Sequence, residues 1–436
     1  MLFQHPYIKR FRKLQWLQLN ASPINPFDAI PVYAELETLN QDNISKVCMV
    51  TDDIPEQLRL LNQNPWSALM HIWVEKMVEE ENPLREITAL FWHEHIPSTN
   101  GKLFDHGKLL LEIYREYGLG EVRELLIRIA ANPAMMYFLD GHWSHKDNPN
   151  ENFPRELLEL FLLGEGNYSL KDVKEAARAF TGRRFDHNQY PYSKYIDENA
   201  FDSGEKTLFG VSGNFNGEDV IDLCLKQKKC AVHLTKAIIS YFIAPNPSDN
   251  LLSEASNFYF QNKYHTGKLL AYLFEHPEVK QNYKWWEKKV KSPIELMVCF
   301  QRQTGLRIKG LKTLELLSDR MGQRLFNPPN VAGWPKDETW LNGNKSIYRL
   351  LSLKSLLETS NREHPKNSIN YKVKSRLVKA HLKSFRYTHD SQLKEDLLYE
   401  TLHHNKISLE HWMLQNSGVV QDLVTIVQNS YYQYHV

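Results

Sequence analysis

Glu156 and Glu159 stand three residues apart in the run NPNENFPRELLELFLLGEG, residues 148–166, with Arg155 beside the first of them. Two carboxylates at that spacing share one face of a helix. A pair so placed can divide the work of general acid and general base, or offer oxygens to a metal ion. Laid on a helix, Asn152, Arg155, Glu156 and Glu159 fall within one arc, while Phe153, Leu157, Leu158, Leu160, Phe161 and Leu162 fill the other directions. A helix apolar nearly all round is expected to be buried, so the polar stripe is expected to face an internal polar cavity or a partner network. Arg155 lies four residues from both Glu151 and Glu159 and can neutralise one of them. At least one carboxylate then calls for another partner, because unpaired buried charge costs several kcal/mol. A buried ion-pair network that only holds helices in register would use the same residues.

Histidines supply candidate partners. In FWHEHIP, His95 joins the apolar face of Leu84, Ile87 and Phe91, while His93 points roughly opposite. The two could share a divalent metal only where the helix unwinds ahead of Pro97. His142 and His145 come just before the stripe, with Asp147, Asn148 and Asn150, whose types also suit turns and caps. FDSGEKTLFG adds Asp202 and Lys206 around a glycine turn. The catalytic candidates are therefore Glu156, Glu159, Arg155, Asp202 and Lys206, and the candidate metal ligands are His93 and His95. Asn148, Asn152, Asn330, Trp334 and Trp340 are the candidate substrate-binding residues. Carboxylates beside tryptophans suit a sugar-like substrate, since aromatic faces pack on sugars while acids serve bond cleavage.

The elements that must position these residues read as helices. NPLREITALFWHEHIPS opens with Asn82 as cap and Pro83 in the first turn, and closes before Pro97. SLKDVKEAARAFTG has Ser169 as cap, Asp172 three residues on, and Gly182 as stop; KSPIELMVCFQRQTG repeats the pattern with Ser292, Pro293, Glu295 and Gly305. These signals predict a mainly α protein, multi-helical around a single core, with long structured loops. One loop, residues 183–217, is rich in Gly, Tyr, Asn and Asp and reads as an ordered loop or small hairpin; the other, NPPNVAGWPKDETWLNGN, spans residues 327–344. The expected organisation is an N-terminal helical segment (1–69), a core carrying the stripe and both loops (70–358), and a linker with a small C-terminal helical lobe (359–436).

Composition narrows the functions. The 436 residues carry 53 basic and 52 acidic side chains, a net charge of +1, which provides no general field for nucleic acid or an anionic membrane. No apolar run approaches the roughly 18 residues of a membrane span, and no signal peptide opens the chain, so the cytoplasm is the expected compartment. Cys48, Cys224, Cys230 and Cys299 form neither a C-x-x-C pair nor a disulfide framework. A phosphate loop, a dinucleotide fingerprint, a G-x-S-x-G elbow and an H-E-x-x-H zinc helix are all missing.

In order and spacing, PLREITALFWHEH, NPNENFPRELLELFLLGEGNYSLKDVKEAARAFTG, FDSGEKTLFGVSGNFNGEDVID and MGQRLFNPPNVAGWPKDETW resemble the bacterial domain of unknown function eighteen hundred (DUF1800) family, from about residue 70 to 355. The resemblance implies a mostly helical bacterial protein and no particular reaction. It further implies frequent export, and a partner resembling the phosphatase and sulfatase group encoded alongside. This chain has Phe201 directly before Asp202, where the family motif typically has a histidine, and His187 is the nearest substitute in the same loop.

Overall fold

The computed structural model describes residues 65–80, 83–99, 104–186, 194–281, 290–304 and 311–341, with positions 308, 345, 348, 349 and 352. Asn82, Gly305, Cys48, His187 and the expected C-terminal lobe lie outside them. The described residues are mainly α, as the caps predict: fourteen α-helices and two small antiparallel sheets of two strands each. None of these helices is long and apolar enough to cross a membrane. Two compact units are present, one of Met1–Leu69, Leu84–Tyr283 and Leu325–Trp334, the other of Met70–Pro83, Lys284–Arg324 and Pro335–Val436.

Helix α1 is Pro65–Glu79, and the first unit continues with α2 (Leu84–His95), α3 (Phe104–Tyr117), α4 (Val122–Ala130) and α5 (Pro133–Phe138). Trp92, Leu125 and Met135 along these helices are fully buried. Helices α2 and α3 pack together. Between them, the Arg115 guanidinium donates to both oxygens of Glu86 through three bonds of 2.8 to 3.0 Å, with side chains only 3% and 2% exposed. That fork satisfies two charges which water no longer reaches.

The stripe's helix is not a continuous α-helix. Helix α6 (Asn152–Glu156) passes directly into a π-helix, Leu157–Leu163. The wider i→i+5 winding gathers Leu157, Leu158, Phe161, Leu162 and Leu163 onto the buried side and leaves Glu159 and Leu160 partly open. It packs on α9 (Lys228–Phe242). The orphan carbonyls at its end find side-chain donors: Leu160 O takes His233 Nε2 at 2.9 Å, Phe161 O takes His95 Nε2 at 3.0 Å, and Leu163 O takes Asn167 Nδ2 at 2.8 Å. Gly164 then ends the helix at φ 82°, ψ 156°, a conformation essentially reserved for glycine.

Helix α7 (Leu170–Ala179) starts with the capping box read from Ser169 and Asp172, both of its bonds formed. The loop 183–217 folds into strands β1 (Arg183–Phe185) with β2 (Lys194–Ile196), and β3 (Lys206–Leu208) with β4 (Val211–Gly213). Helix α7 holds the second pair through its carboxylates: Asp172 Oδ1 accepts the Phe209 amide at 2.8 Å and Glu175 Oε2 accepts that of Thr207 at 2.9 Å. Helices α8 (Gly217–Leu225), α10 (Asp249–Gln261), α11 (Thr266–Glu275) and α12 (Pro277–Gln281) complete this unit. In the second unit, α13 (Pro293–Thr304) packs on α14 (Leu311–Met321). The expected Ser292 and Glu295 capping box is present at its start, with bonds of 2.8 and 3.3 Å.

Candidate functional site

The stripe looks outward rather than into an internal cavity. Asn152 is exposed, and Arg155, Glu156 and Glu159 are half-buried. The expectation of an enclosed stripe assumed an apolar surface all round, but the π-helix presents Leu160 beside Glu159 on the open side. Arg155 pairs with Glu151 at 2.7 Å, as the four-residue spacing suggests. Glu159 accepts the Tyr168 hydroxyl, which the Gly164–Ser169 turn folds back beside it. Glu156 is left without a hydrogen bond among the described residues. Burial raises the Glu156 carboxyl above the ordinary glutamate value, the neighbouring charge of Glu159 adds to this, and Arg155 opposes it. Burial, then the bond to Glu159, raises the Tyr168 hydroxyl to about 12.

Asp202 and Lys206 belong to a separate cluster built on α7. Arg178 Nε and Nη2 bind both Asp202 oxygens at 2.7 and 3.2 Å, and Arg178 Nη1 reaches Glu175 and the Glu205 carbonyl. Lys206 is buried and donates to the Asp202 and Gly204 carbonyls at 2.6 and 2.8 Å, with its ammonium 5.3 Å from the Phe201 ring. Burial pulls at Asp202 in the upward direction, but the Arg178 and Gly204 hydrogen bonds outweigh it and hold the carboxyl below its usual value. Lys206 is lowered by burial. The Phe201 ring lies over the lysine. Among the described residues, no hydrogen bond or ion pair joins this cluster to Glu156 or Glu159.

The two candidate metal histidines are engaged in the core. His93 Nε2 accepts the Phe326 amide at 3.1 Å, and burial lowers its pKa to about 3. His95 Nε2 faces a carbonyl, Phe161 O, and therefore carries its proton there. Neither Nε2 is open to an ion, and among the described residues no group of three or more His, Cys, Asp or Glu is placed to hold one. His142 Nδ1 lies 3.1 Å from the Met136 carbonyl, and His145 takes the Asp147 amide in a turn.

Trp334 and Trp340 are both buried, as core side chains of the first and second units, and offer no open face for stacking. Asn330 closes a turn on the Ala332 amide, and Asn148 is exposed beside a bridge to His145. The open indole is Trp143, 76% exposed at the end of the 3-10 turn Gly141–Trp143. Nothing in its spacing distinguishes it from a core tryptophan; only its place between Gly141 and the turn-forming DNPN run, residues 147–150, hints at a surface position.

Next to that turn is a small, shallow cleft, open to solvent, whose lining includes Gly141, Ser144, Asn150, Phe153, Phe180 and Arg183. Helix α6 contributes only Phe153 and Pro154, so Arg155, Glu156 and Glu159 do not line it. The Arg183 guanidinium stacks over the Phe180 ring at 4.7 Å. Burial lowers its pKa to about 10, opposed by the charge of Glu218.

Compared with known families, the chain matches one model over residues 8–417, whose description reads "Protein of unknown function (DUF1800)". No curated protein and no solved structure matches it.

Proposed function

Because the chain belongs to the DUF1800 family, whose description names no reaction, we propose a function from the site itself: general acid–base chemistry on a sugar-like substrate, with Glu156 as acid and Glu159 as the second carboxylate. One observation carries the reading. Of the stripe's charged groups, Arg155 and Glu159 are bonded to Glu151 and Tyr168, whereas Glu156 is half-buried, solvent-reachable and unbonded. A carboxyl whose protonated form is favoured by burial is the usual form of a general acid. The π-helix supports the same location, since such winding is frequently found at functional sites. Trp143 offers the aromatic face that a sugar ring packs against.

The test is turnover of a panel of bacterial envelope glycans and aryl glycosides, followed by reducing-end release, with Glu156→Gln and Glu159→Gln variants. Loss of the proton donor is expected to lower the rate by about 10²–10⁴-fold. Undiminished turnover in both variants, or none by the wild type across the panel, would overturn the proposal.

A second reading, docking of a phosphatase- or sulfatase-like partner, is supported by the exposure of Trp143, Tyr195 and Ile196. Co-expression with such a partner should then yield a complex that Trp143→Ala weakens, and a chain that purifies alone in that experiment would count against it.

A further inference from the structure

Arg183 has five N–H donors, and among the described residues it donates none of them to the protein; its only close partner is the face of Phe180. Burial and neighbouring cations both work against its charge. Lys194 and Arg128 lie close enough to act on one another's charge, and Lys194 is lowered by burial and then by Arg128 and Arg183. Arg183 also sits at the N-terminus of α8, the positive end of a helix: a Cβ on Gly217 would lie 2.7 Å from Arg183 Nη2 and 2.6 Å from the Phe180 ring. Glycine at that position makes room for the guanidinium. The exposed carboxylate of Glu218 acts on Arg183 from the first turn of α8, Asp219 is engaged in that helix's capping box, and Glu124 is paired with Arg128.

Two further donors are unspent. The Nε of Arg128 is buried without a hydrogen bond, its guanidinium resting 4.0 Å from the Tyr117 ring and its Nη2 paired with Glu124 at 3.8 Å. The Ser144 hydroxyl, 2% exposed on the cleft wall, accepts the Asn150 amide at 3.1 Å and among the described residues donates to nothing. A guanidinium with no hydrogen-bonded acceptor, a hydroxyl with a spare proton and an apolar wall meet at one opening.

We propose that this cleft is an oxyanion-binding site, in which the Arg183 guanidinium and the Ser144 hydroxyl hold a carboxylate, sulfate or phosphate group while Lys194 supplies attracting charge. A planar guanidinium suits such groups because it can donate two parallel hydrogen bonds. Phe153, Phe180, Met135 and Met136 form the apolar wall beside these donors. The site is independent of the acid–base reading, since neither Glu156 nor Glu159 lines the cleft.

Calorimetric titration of the full chain with sulfate, phosphate, acetate, glucuronate and glucose, at fixed ionic strength set with chloride, tests it. Saturable binding of at least one anion is expected, weakened about tenfold or more in Arg183→Gln, as the loss of charge-assisted bonds implies. Glucuronate binding more tightly than acetate identifies an acidic sugar, and sulfate or phosphate binding alone identifies a free or esterified oxyanion. Circular dichroism checks that Arg183→Gln folds; should it not, Ser144→Ala and Lys194→Gln are each expected to weaken binding about two- to fivefold. Glu156→Gln is expected to bind like the wild type, whatever its turnover. The proposal is overturned when no anion binds saturably, when glucose binds as well as glucuronate, or when the folded cleft variants bind unchanged.

Discussion

Replacing Arg115 by methionine takes the guanidinium away from Glu86 while keeping much of the side chain's length. Both groups are almost wholly enclosed and share three short hydrogen bonds, so the stranded carboxylate loses all three in a place that water scarcely reaches. Breaking a buried pair this way costs about 3–5 kcal/mol. At roughly 2–4 °C per kcal/mol for a body of about 150–250 residues, the melting temperature should fall by roughly 6–20 °C. The double variant Glu86→Leu/Arg115→Met removes both charges and should return to within about 1 kcal/mol of the wild type or exceed it, because an apolar pair has no desolvation cost to recover. Urea titrations followed by tryptophan fluorescence and circular dichroism measure both, with coincident transitions confirming that one cooperative unit is observed. A loss below about 1 kcal/mol in Arg115→Met, or a double variant as unstable as the single, would refute the claim that this pair is desolvated.

Three other outcomes are expected. Glu156 has its folded-state pKa raised above the unfolded value of 4.5, so its contribution to stability declines as pH rises through that window; Glu156→Gln should be the more stable form near neutrality, the difference closing below pH 4.5, and melts at a series of pH values that superimpose would reject this. His93 shows the opposite sign: with its pKa lowered from 6.5 to about 3, its stabilisation is complete above 6.5 and is lost as pH falls toward 3. His93→Gln retains an acceptor for the Phe326 amide and should flatten the acid limb of the stability profile, and an unchanged limb in urea titrations would assign that limb to other groups. Gly164→Ala places a methyl 2.9 Å from His233 Nδ1 in a glycine-only conformation and should cost about 1–3 kcal/mol; a neutral result would show that the helix end can reposition.

The parts of the fold written in local grammar were legible in the sequence. The Ser169 and Ser292 capping boxes formed as read, because each satisfies helix amides within three residues of itself. The π-helix was not legible, since the donors to its carbonyls, His95 and His233, come from more than sixty residues away on either side. That same distance hid the partner of His95, whose place on an apolar helix face fits a hydrogen-bonded core histidine but does not point to the Phe161 carbonyl. The stripe's residue types and the Arg155–Glu151 pairing were readable, but its exposure was not: burial depends on which side the π-winding turns toward α9. Asp202 and Lys206 were singled out for their chemistry, yet their neighbours Arg178 and Glu175 lie on a helix whose sequence resembles an ordinary solvated face. Trp334, Trp340 and Trp143 are alike as residues, and only the packing separates the buried pair from the open one.

The carboxylates of α7 have a consequence for how this protein avoids its own kind. Strand β3 pairs with β4 on one side, and its other side would present bare amides to any extended chain that drifted past. Glu175 and Asp172 occupy the amides of Thr207 and Phe209, two residues apart, from positions three apart on a helix. One helical turn of acidic side chains thus supplies the acceptors that a third strand would have offered, while adding negative charge where a stranger's backbone would need to approach. The hairpin is closed to templated strand addition without a longer sheet, and Glu175→Ala would leave the molecule folded around an open seam through which copies could begin to stack.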